Sequence, residues 1–285
     1  MLFLVKLLSF IFFLIPDRMV MVIAVILSPV FYNAMKKGKW GFKIKRILPK
    51  VFKGRNEQWY KRIMRKNSIH LMKFAGEMLK AHYKMDYFLR KKCYIAEGRE
   101  FLEQLVSNNR GFMIVTCHLG NWEYAAAWLA MEYGEIYAPV FVEDSSGNRA
   151  LNWIRTGHRV NMLETSYDPR VSTKSLIKMI RLLENGKIVF IVSDQEALGG
   201  DYTGKLFGKE IKVFGGPFIL GKKTGRPILP MYTIRNNRDK IELYFEPPFY
   251  LSGENKDEDI AKLTTFFERN ISKYPDQYLW SQDRW

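Results

Sequence analysis

The chain of 285 residues is long enough for one large domain or two small ones, and its composition of 47% apolar and 26% charged residues excludes a disordered chain. Two cysteines, Cys93 and Cys117, are too few for a disulfide framework or a cysteine-based zinc site. The net charge of +16 is typical of a protein that binds nucleic acid, an anionic membrane surface or acidic partners.

The amino-terminal residues form two apolar runs, over residues 2–15 and 20–31, separated by Pro16, Asp17 and Arg18. Neither run reaches the roughly 20 apolar residues that a spanning helix needs, and Pro16 disfavours one continuous helix. The pattern therefore predicts two short helices, either as one kinked span or as a pair embedded in one leaflet. A buried pair of core helices is the alternative. A cleaved signal peptide is disfavoured, because no A-x-A-like site follows the apolar run.

A strongly basic segment follows the apolar one. Residues 36–66 are rich in Lys and Arg, and Glu57 is their only acid. Basic residues beside an apolar segment are typical of the cytoplasmic side of a membrane and attract anionic head groups. We therefore expect residues 1–35 to be a membrane anchor and residues 36–285 to be a single domain on the cytoplasmic face. No nucleic-acid partner is expected, because no nucleic-acid-binding signature accompanies the charge.

Helical and strand patterns alternate along the rest of the chain. Apolar spacing predicts helices over residues 56–82, 121–133, 151–160, 172–184 and 257–273, with Asn185 and Gly186 ending the fourth. Short apolar runs predict strands over residues 112–117, 136–141, 188–193, 227–234 and 241–246. This alternation favours an α/β sheet with helices on its faces.

The string CHLGNWE, from Cys117 to Glu123, carries the clearest chemical signal. His118 follows a predicted strand, where open α/β sheets place catalytic groups, and Glu123 lies in the first turn of the next helix. A carboxylate that holds the imidazole in one tautomer lets the ring take a proton from a hydroxyl, so the two residues are the candidate catalytic pair. A histidine merely satisfied by a local carboxylate is the alternative.

Asp194 and Gln195 follow another predicted strand and point to the same sheet edge, so they are candidate substrate-binding residues. Strand-end hydrogen bonding with no contact to substrate explains them equally well. No cofactor is expected. Both G-x4-G-K strings, at Gly199 and Gly216, lack the Ser or Thr that a phosphate-binding loop places after its Lys.

The string HLGNWE resembles the first motif of the bacterial lipid A biosynthesis acyltransferases, a branch of the glycerolipid acyltransferases. Later segments resemble further blocks of that family: residues 192–200, 206–217 and 224–232, and the ending YPDQYLWSQDRW, in which Gln282 and Asp283 replace the usual His-Arg pair. Arg155 stands where the family has an arginine needed for activity. Asn121, inside the first motif, is counted with Arg155 among the substrate-binding candidates.

The resemblance implies a central mixed sheet flanked by helices and an acyltransferase attached to the cytoplasmic face of the inner membrane. It implies transfer of a fatty acyl chain from acyl-carrier protein or acyl-CoA to a hydroxyl of a lipid A precursor or a related glycolipid. For Arg155 we expect binding of a substrate phosphate or of the developing oxyanion, and a surface salt bridge is the other interpretation of this residue. The alternatives are a glycerophospholipid acyltransferase that shares the first motif and a non-catalytic protein that binds the membrane surface.

Overall fold

The computed structural model describes residues 2–37, 39–83, 85–142, 145–194, 202–251 and 255–280. Its helices, α1 to α11 in chain order, are Leu2–Leu14, Asp17–Lys37, Lys39–Val51, Glu57–Ala81, Met85–Lys92, Arg99–Ser107, Trp122–Tyr133, Ser146–Arg155, Pro169–Glu184, Gly216–Thr224 and Lys256–Lys273. Its strands, β1 to β9, are Cys93–Glu97, Phe112–Thr116, Ile136–Phe141, Val160–Thr165, Ile188–Val192, Thr203–Leu206, Lys209–Lys212, Ile228–Arg235 and Ile241–Phe245.

Seven strands form a mixed sheet in the order β1-β9-β8-β2-β5-β3-β4, and β6 and β7 form a separate hairpin. From β8 to β4 the neighbouring strands are parallel, and the antiparallel pairing of β8 with β9 makes the sheet mixed. Successive side chains of β2 alternate between two apolar cores. Met113 and Val115 join the core under α9, α10 and α11, whereas Phe112 and Ile114 join the core under α5 to α8. The predicted α/β class with a central mixed sheet is thus confirmed.

Most predicted elements are confirmed within a few residues. The helix expected over residues 151–160 is an exception, because α8 begins at Ser146 and ends at Arg155, and Val160 opens β4. Gly157 sets this boundary: a Cβ there would lie 2.7 Å from the backbone of His82, so the chain turns tightly against the end of α4. The sequence patterns did not predict α3, α5, α6, α10, β1, β4 or the β6–β7 hairpin.

The two predicted amino-terminal helices are present as α1 and α2, and both pack on α4 rather than standing apart. The Ser9 hydroxyl donates to the Leu79 carbonyl. Beside the junction of α1 and α2, Lys80 donates to the Ile15 carbonyl at 2.5 Å, and Lys92 pairs with Asp17 at 2.9 Å. The residues expected to form an anchor are therefore tied to the α/β body by buried polar contacts as well as by packing.

The outer faces of α1 and α2 remain apolar and exposed. Among the described residues, α2 is the one helix long and apolar enough to cross a membrane by length and composition, although neither sequence run alone predicted such a length. Exposed large apolar side chains are concentrated on these two helices: Phe3, Leu4, Leu7, Phe10, Ile11, Leu14, Met19, Val22, Val25, Ile26, Leu27 and Val30.

Helix α4 crosses the edge of the sheet at which β2 and β5 end. Near its start Ile63 and Met64 join one core, and near its end Met78 joins the other. Between these residues, the His70 ring contacts the Gly120 carbonyl at 3.2 Å, just beyond the carboxyl end of β2. The apolar helices α1 and α2 therefore pack on the element that covers the catalytic candidates.

Candidate functional site

The loop after β2 places His118 against a carboxylate from the neighbouring strand. Thr116 pairs in register with Val192, so the residues that follow β2 and β5 lie side by side at the same edge. Asp194 Oδ1 lies 2.6 Å from Nδ1 of His118, and its Oδ2 accepts the His118 backbone N–H at 3.1 Å. Both side chains are buried, with residue exposures of 8% for His118 and 3% for Asp194.

This contact fixes the tautomer of His118. An ionised carboxylate only accepts hydrogen bonds, so in the neutral ring the nitrogen that faces Asp194 carries the proton and Nε2 does not. The Trp122 ring packs against the imidazole at a centroid distance of 4.6 Å and stacks on Phe74 at 4.8 Å. The imidazole is therefore oriented by a carboxylate and an aromatic wall, as a general base requires.

Glu123 lies in the first turn of α7, as predicted, and is paired with Arg155. The Arg155 Nε donates to both carboxylate oxygens at 3.1 Å, and Nη2 donates to Oε1. Burial raises the pKa of Glu123, but the charge and hydrogen bonds of Arg155 outweigh burial and hold it below its ordinary value. The orienting contact on Nδ1 that we expected from Glu123 is made by Asp194.

Arg155 was expected to bind a substrate phosphate or the oxyanion, and in the structure its planar fork is occupied by Glu123. Asp194 was expected to contact substrate and instead holds His118. Gln195 lies outside the described residues. The substrate-binding roles of these three residues remain predictions.

Both the oxygen and the nitrogen of the Asn121 side-chain amide form hydrogen bonds within the protein. Its oxygen caps α7 by accepting the Tyr124 backbone N–H at 2.9 Å, and its Nδ2 donates to Glu77 at 2.7 Å. The side chain is fully buried. The substrate-binding role expected of Asn121 remains a prediction.

Glu77 is the centre of a buried network that holds the loop and was missed in the sequence. Arg235 binds its carboxylate with both Nη atoms at 2.5 and 2.6 Å, and Lys92 donates to it at 3.2 Å. Burial raises the pKa of Glu77, but the charge and hydrogen bonds of Arg235, followed by Lys92, bring it to about 2. Since Lys92 also pairs with Asp17, the network joins the start of α2 to the loop that carries His118.

The carboxyl-terminal segment braces the same loop from the other side. The Leu279 backbone N–H donates to the His118 carbonyl at 3.0 Å, and the Gly120 N–H donates to the Gln277 carbonyl at 3.1 Å. Gly120 has φ +67, and a Cβ there would lie 2.3 Å from the Thr233 carbonyl, so only glycine fits this turn. Trp280 is buried and donates to the Pro275 carbonyl at 2.6 Å. Gln282 and Asp283 lie outside the described residues.

The fold and the site together define a class of protein: an α/β protein that presents a carboxylate-held histidine at the carboxyl edge of a mixed sheet, beside helices with apolar outer faces. Among the described residues no cluster of His, Cys, Asp and Glu is arranged to hold a metal ion. The chain belongs to the bacterial lipid A biosynthesis acyltransferase family, which it matches over residues 1–285.

Two curated relatives are the lipid A biosynthesis palmitoleoyltransferase of Escherichia coli strain K12 and the lipid A biosynthesis acyltransferase of Shigella flexneri. Each is 21% identical to this chain over 199 residues. The matched region covers 68% of this chain and 62% of each relative, which is less than two thirds of the relatives' length.

The Glu123–Arg155 pair makes a prediction about substitution. We expect Arg155→Lys to lower activity by at least about tenfold, because an ammonium cannot reproduce the two-atom contact with the carboxylate. The matched control is Arg170→Lys, since Arg170 pairs with Asp168 on the surface with its own side chain 92% exposed. Rates measured for both variants check the prediction, and wild-type activity in Arg155→Lys would contradict it.

Proposed function

We propose that this chain transfers a fatty acyl group from a thioester donor, acyl-carrier protein or acyl-CoA, to a hydroxyl of a lipid A precursor or a related glycolipid. The observation that carries the proposal is the His118–Asp194 pair, since Asp194 Oδ1 lies 2.6 Å from His118 Nδ1 at the sheet edge. The family match supports the acceptor class and the reaction type.

His118 is the general base in this proposal. Nε2 of His118 takes the proton of the acceptor hydroxyl as that oxygen attacks the thioester carbon, and the collapse of the tetrahedral intermediate expels the thiolate. The imidazolium then returns its proton to the thiolate, so the donor leaves as a thiol. Asp194 holds Nδ1–H throughout and stabilises the positive ring, as the carboxylate of a catalytic triad does.

Glu123 adds a second negative charge to the site. It lies within electrostatic range of His118, since a positive charge on that ring lowers the pKa of Glu123. By the same interaction an ionised Glu123 favours the imidazolium that forms during transfer. Arg155 fixes the position of that carboxylate, so in this proposal Glu123 and Arg155 act as a pair.

The site lies where a lipid acceptor would approach. Helices α1 and α2 expose large apolar side chains and pack on α4, which covers the edge that bears His118. Basic side chains around α3 and the start of α4 are exposed: Lys45, Arg46, Lys50, Lys53, Arg55, Lys61, Arg62, Arg65 and Lys66. We propose attachment to the cytoplasmic face of the inner membrane, with the apolar helices in the bilayer and the basic surface against its anionic head groups.

Competition between acceptors tests the proposed substrate. Purified protein supplied with an acyl thioester and equal amounts of a lipid A precursor and a lysophospholipid is expected to acylate the precursor. Acylation of the lysophospholipid instead would favour the glycerophospholipid alternative. Acylation of neither, with every thioester tested, would contradict an acyltransferase.

Salt resistance tests the proposed membrane attachment. Burying a dozen large apolar side chains contributes about 18 kcal/mol before any costs, whereas each basic residue near anionic lipid adds about 1 kcal/mol. We therefore expect the full-length protein to float with vesicles even at about 1 M salt, where charge attraction is screened. Release by high salt would contradict the assignment of α1 and α2 to the bilayer.

A further inference from the structure

The turn that follows α8 places a second histidine, His158, near Glu123. Arg155 ends α8, and its carbonyl accepts the His158 backbone N–H at 2.9 Å. Gly157 lets this turn lie against the backbone of His82, where a Cβ would meet atoms at 2.7 Å. Arg155 and His158 therefore reach the same carboxylate from one short turn.

The His158 ring is buried beside the less occupied oxygen of Glu123. Its Nδ1 lies 3.9 Å from Oε2, and the residue is 8% exposed. Oε1 of Glu123 accepts from Nε and Nη2 of Arg155, whereas Oε2 accepts from Nε alone. Oε2 therefore has capacity for a further donor, and the nearby ring nitrogen is placed to supply it.

His158 is neutral near pH 7. Its pKa is lowered to about 4, chiefly by burial and also by the charges of Arg155 and His82, which together outweigh the opposing charge of Glu123. A neutral imidazole has one N–H, and the facing carboxylate favours its position on Nδ1. Within the part of the chain that the structure describes, Nε2 of His158 is buried without a hydrogen-bond partner, so no acceptor there competes for the proton.

The distance of 3.9 Å between Nδ1 of His158 and Oε2 of Glu123 is about 1 Å too long for a hydrogen bond. Hydrogen bonds of an active site commonly shorten as the Michaelis complex forms. A small movement of the turn after α8 would bring Nδ1–H of His158 onto Oε2, so that Glu123 would be held from two sides.

We infer that His158 is a positioning residue for the acyl transfer proposed above: its Nδ1–H closes on Oε2 of Glu123 during the reaction and, with Arg155, holds that carboxylate toward His118. The expected effect of His158 on the rate of acyl transfer rests on the proposed function. The expected position of the proton on Nδ1 of His158 rests on the geometry alone. His158 acts through Glu123 and not on the substrate.

Two substitutions at His158 separate the N–H from the bulk of the ring. His158→Asn keeps an N–H close to the position of Nδ1, whereas His158→Leu removes it. We expect the leucine variant to lower kcat about tenfold with KM little changed, and the asparagine variant to stay within about threefold of wild type. In the leucine variant the acid limb of the kcat profile moves to higher pH, because the pKa of Glu123 rises when it loses a donor.

A second substitution at Glu123 tests whether His158 acts through that residue. In a Glu123→Gln background, His158→Leu is expected to cause no further loss of kcat, since the carboxylate that His158 positions is already absent. The matched control is His82→Leu, because His82 packs on the same turn and stacks on Trp153 at 3.8 Å. His82→Leu is expected to leave kcat and its pH profile unchanged.

Three rate outcomes would overturn the inference: a folded His158→Leu with wild-type kcat and pH profile, an asparagine variant as impaired as the leucine one, or additive losses with Glu123→Gln. A measurement free of activity accompanies them. Nitrogen-15 spectra of the four histidines report which ring nitrogen is protonated. We expect the proton of the His158 ring to lie on Nδ1. A proton on Nε2 would overturn the inference, whether or not the wild-type protein transfers an acyl group. Failure of the wild-type protein to transfer an acyl group would by itself contradict only the proposed function.

Discussion

Asp194→Asn is expected to lower acyl transfer by about 1,000-fold while leaving the fold intact. The geometry gives the reason. Oδ2 of Asp194 accepts the His118 backbone N–H at 3.1 Å, so the amide oxygen of asparagine must occupy that position. The amide NH2 then faces the ring and donates to Nδ1 of His118, which forces the proton onto Nε2 and removes the base.

The control for this substitution is Asp239→Asn. Asp239 pairs with Lys73 at 2.6 Å outside the site and has φ +57, a conformation that asparagine adopts readily. It is expected to transfer acyl groups like wild type. Rates for both variants, with nitrogen-15 spectra of His118, check the prediction, and a wild-type rate in Asp194→Asn would show that Asp194 does not set the tautomer.

Glu77→Ala is expected to destabilise the protein by about 3–5 kcal/mol, because it leaves the charge of Arg235 buried without its partner and leaves Lys92 with Asp17 alone. The pKa of Glu77, about 2 in the folded protein against an ordinary 4.5, gives the sign of the pH dependence. Its contribution to stability is complete above pH 4.5 and is lost as the pH falls toward 2. Unfolding midpoints measured in detergent over this range check both statements.

Glu57→Ala is the control, since Glu57 pairs with Lys61 at 2.7 Å on the surface, where its side chain is 79% exposed. It is expected to leave the unfolding midpoint nearly unchanged. Equal midpoints for Glu77→Ala and wild type would contradict the role of the network that joins α2 to the loop of His118.

Local patterns predicted the class of fold and marked His118 as the candidate general base. The short apolar run of β2, followed by His118 and a cap at Asn121, is contained in one stretch of sequence. Hydrophobic spacing likewise indicated α4, α9 and α11, because each is long and buries one face. Short elements such as β1, α5 and α6 gave too few turns or alternations to be identified.

The partners of each side chain depend on strand order, which local sequence does not contain. Glu123 was predicted as the partner of His118 because it lies five positions away in the sequence, whereas Asp194 reaches His118 only because β5 pairs with β2. Glu77 and Arg235 lie far apart in sequence and meet only where α4 crosses the sheet edge. The segment NWIRTGHR marked Arg155. Its histidine, His158, lies only three positions after Arg155, and this spacing could have predicted that both residues reach Glu123.

Donor-dependent acyl transfer by purified wild-type protein, compared with His118→Ala, tests the central claim most directly. With an acyl thioester and a lipid A precursor, the wild-type protein is expected to form the acylated product and release the thiol. The alanine variant is expected to fold, because Asp194 keeps the backbone N–H of residue 118 as a donor at 3.1 Å, and to transfer at least about 1,000-fold more slowly. Transfer at the wild-type rate by His118→Ala would contradict a mechanism built on that histidine.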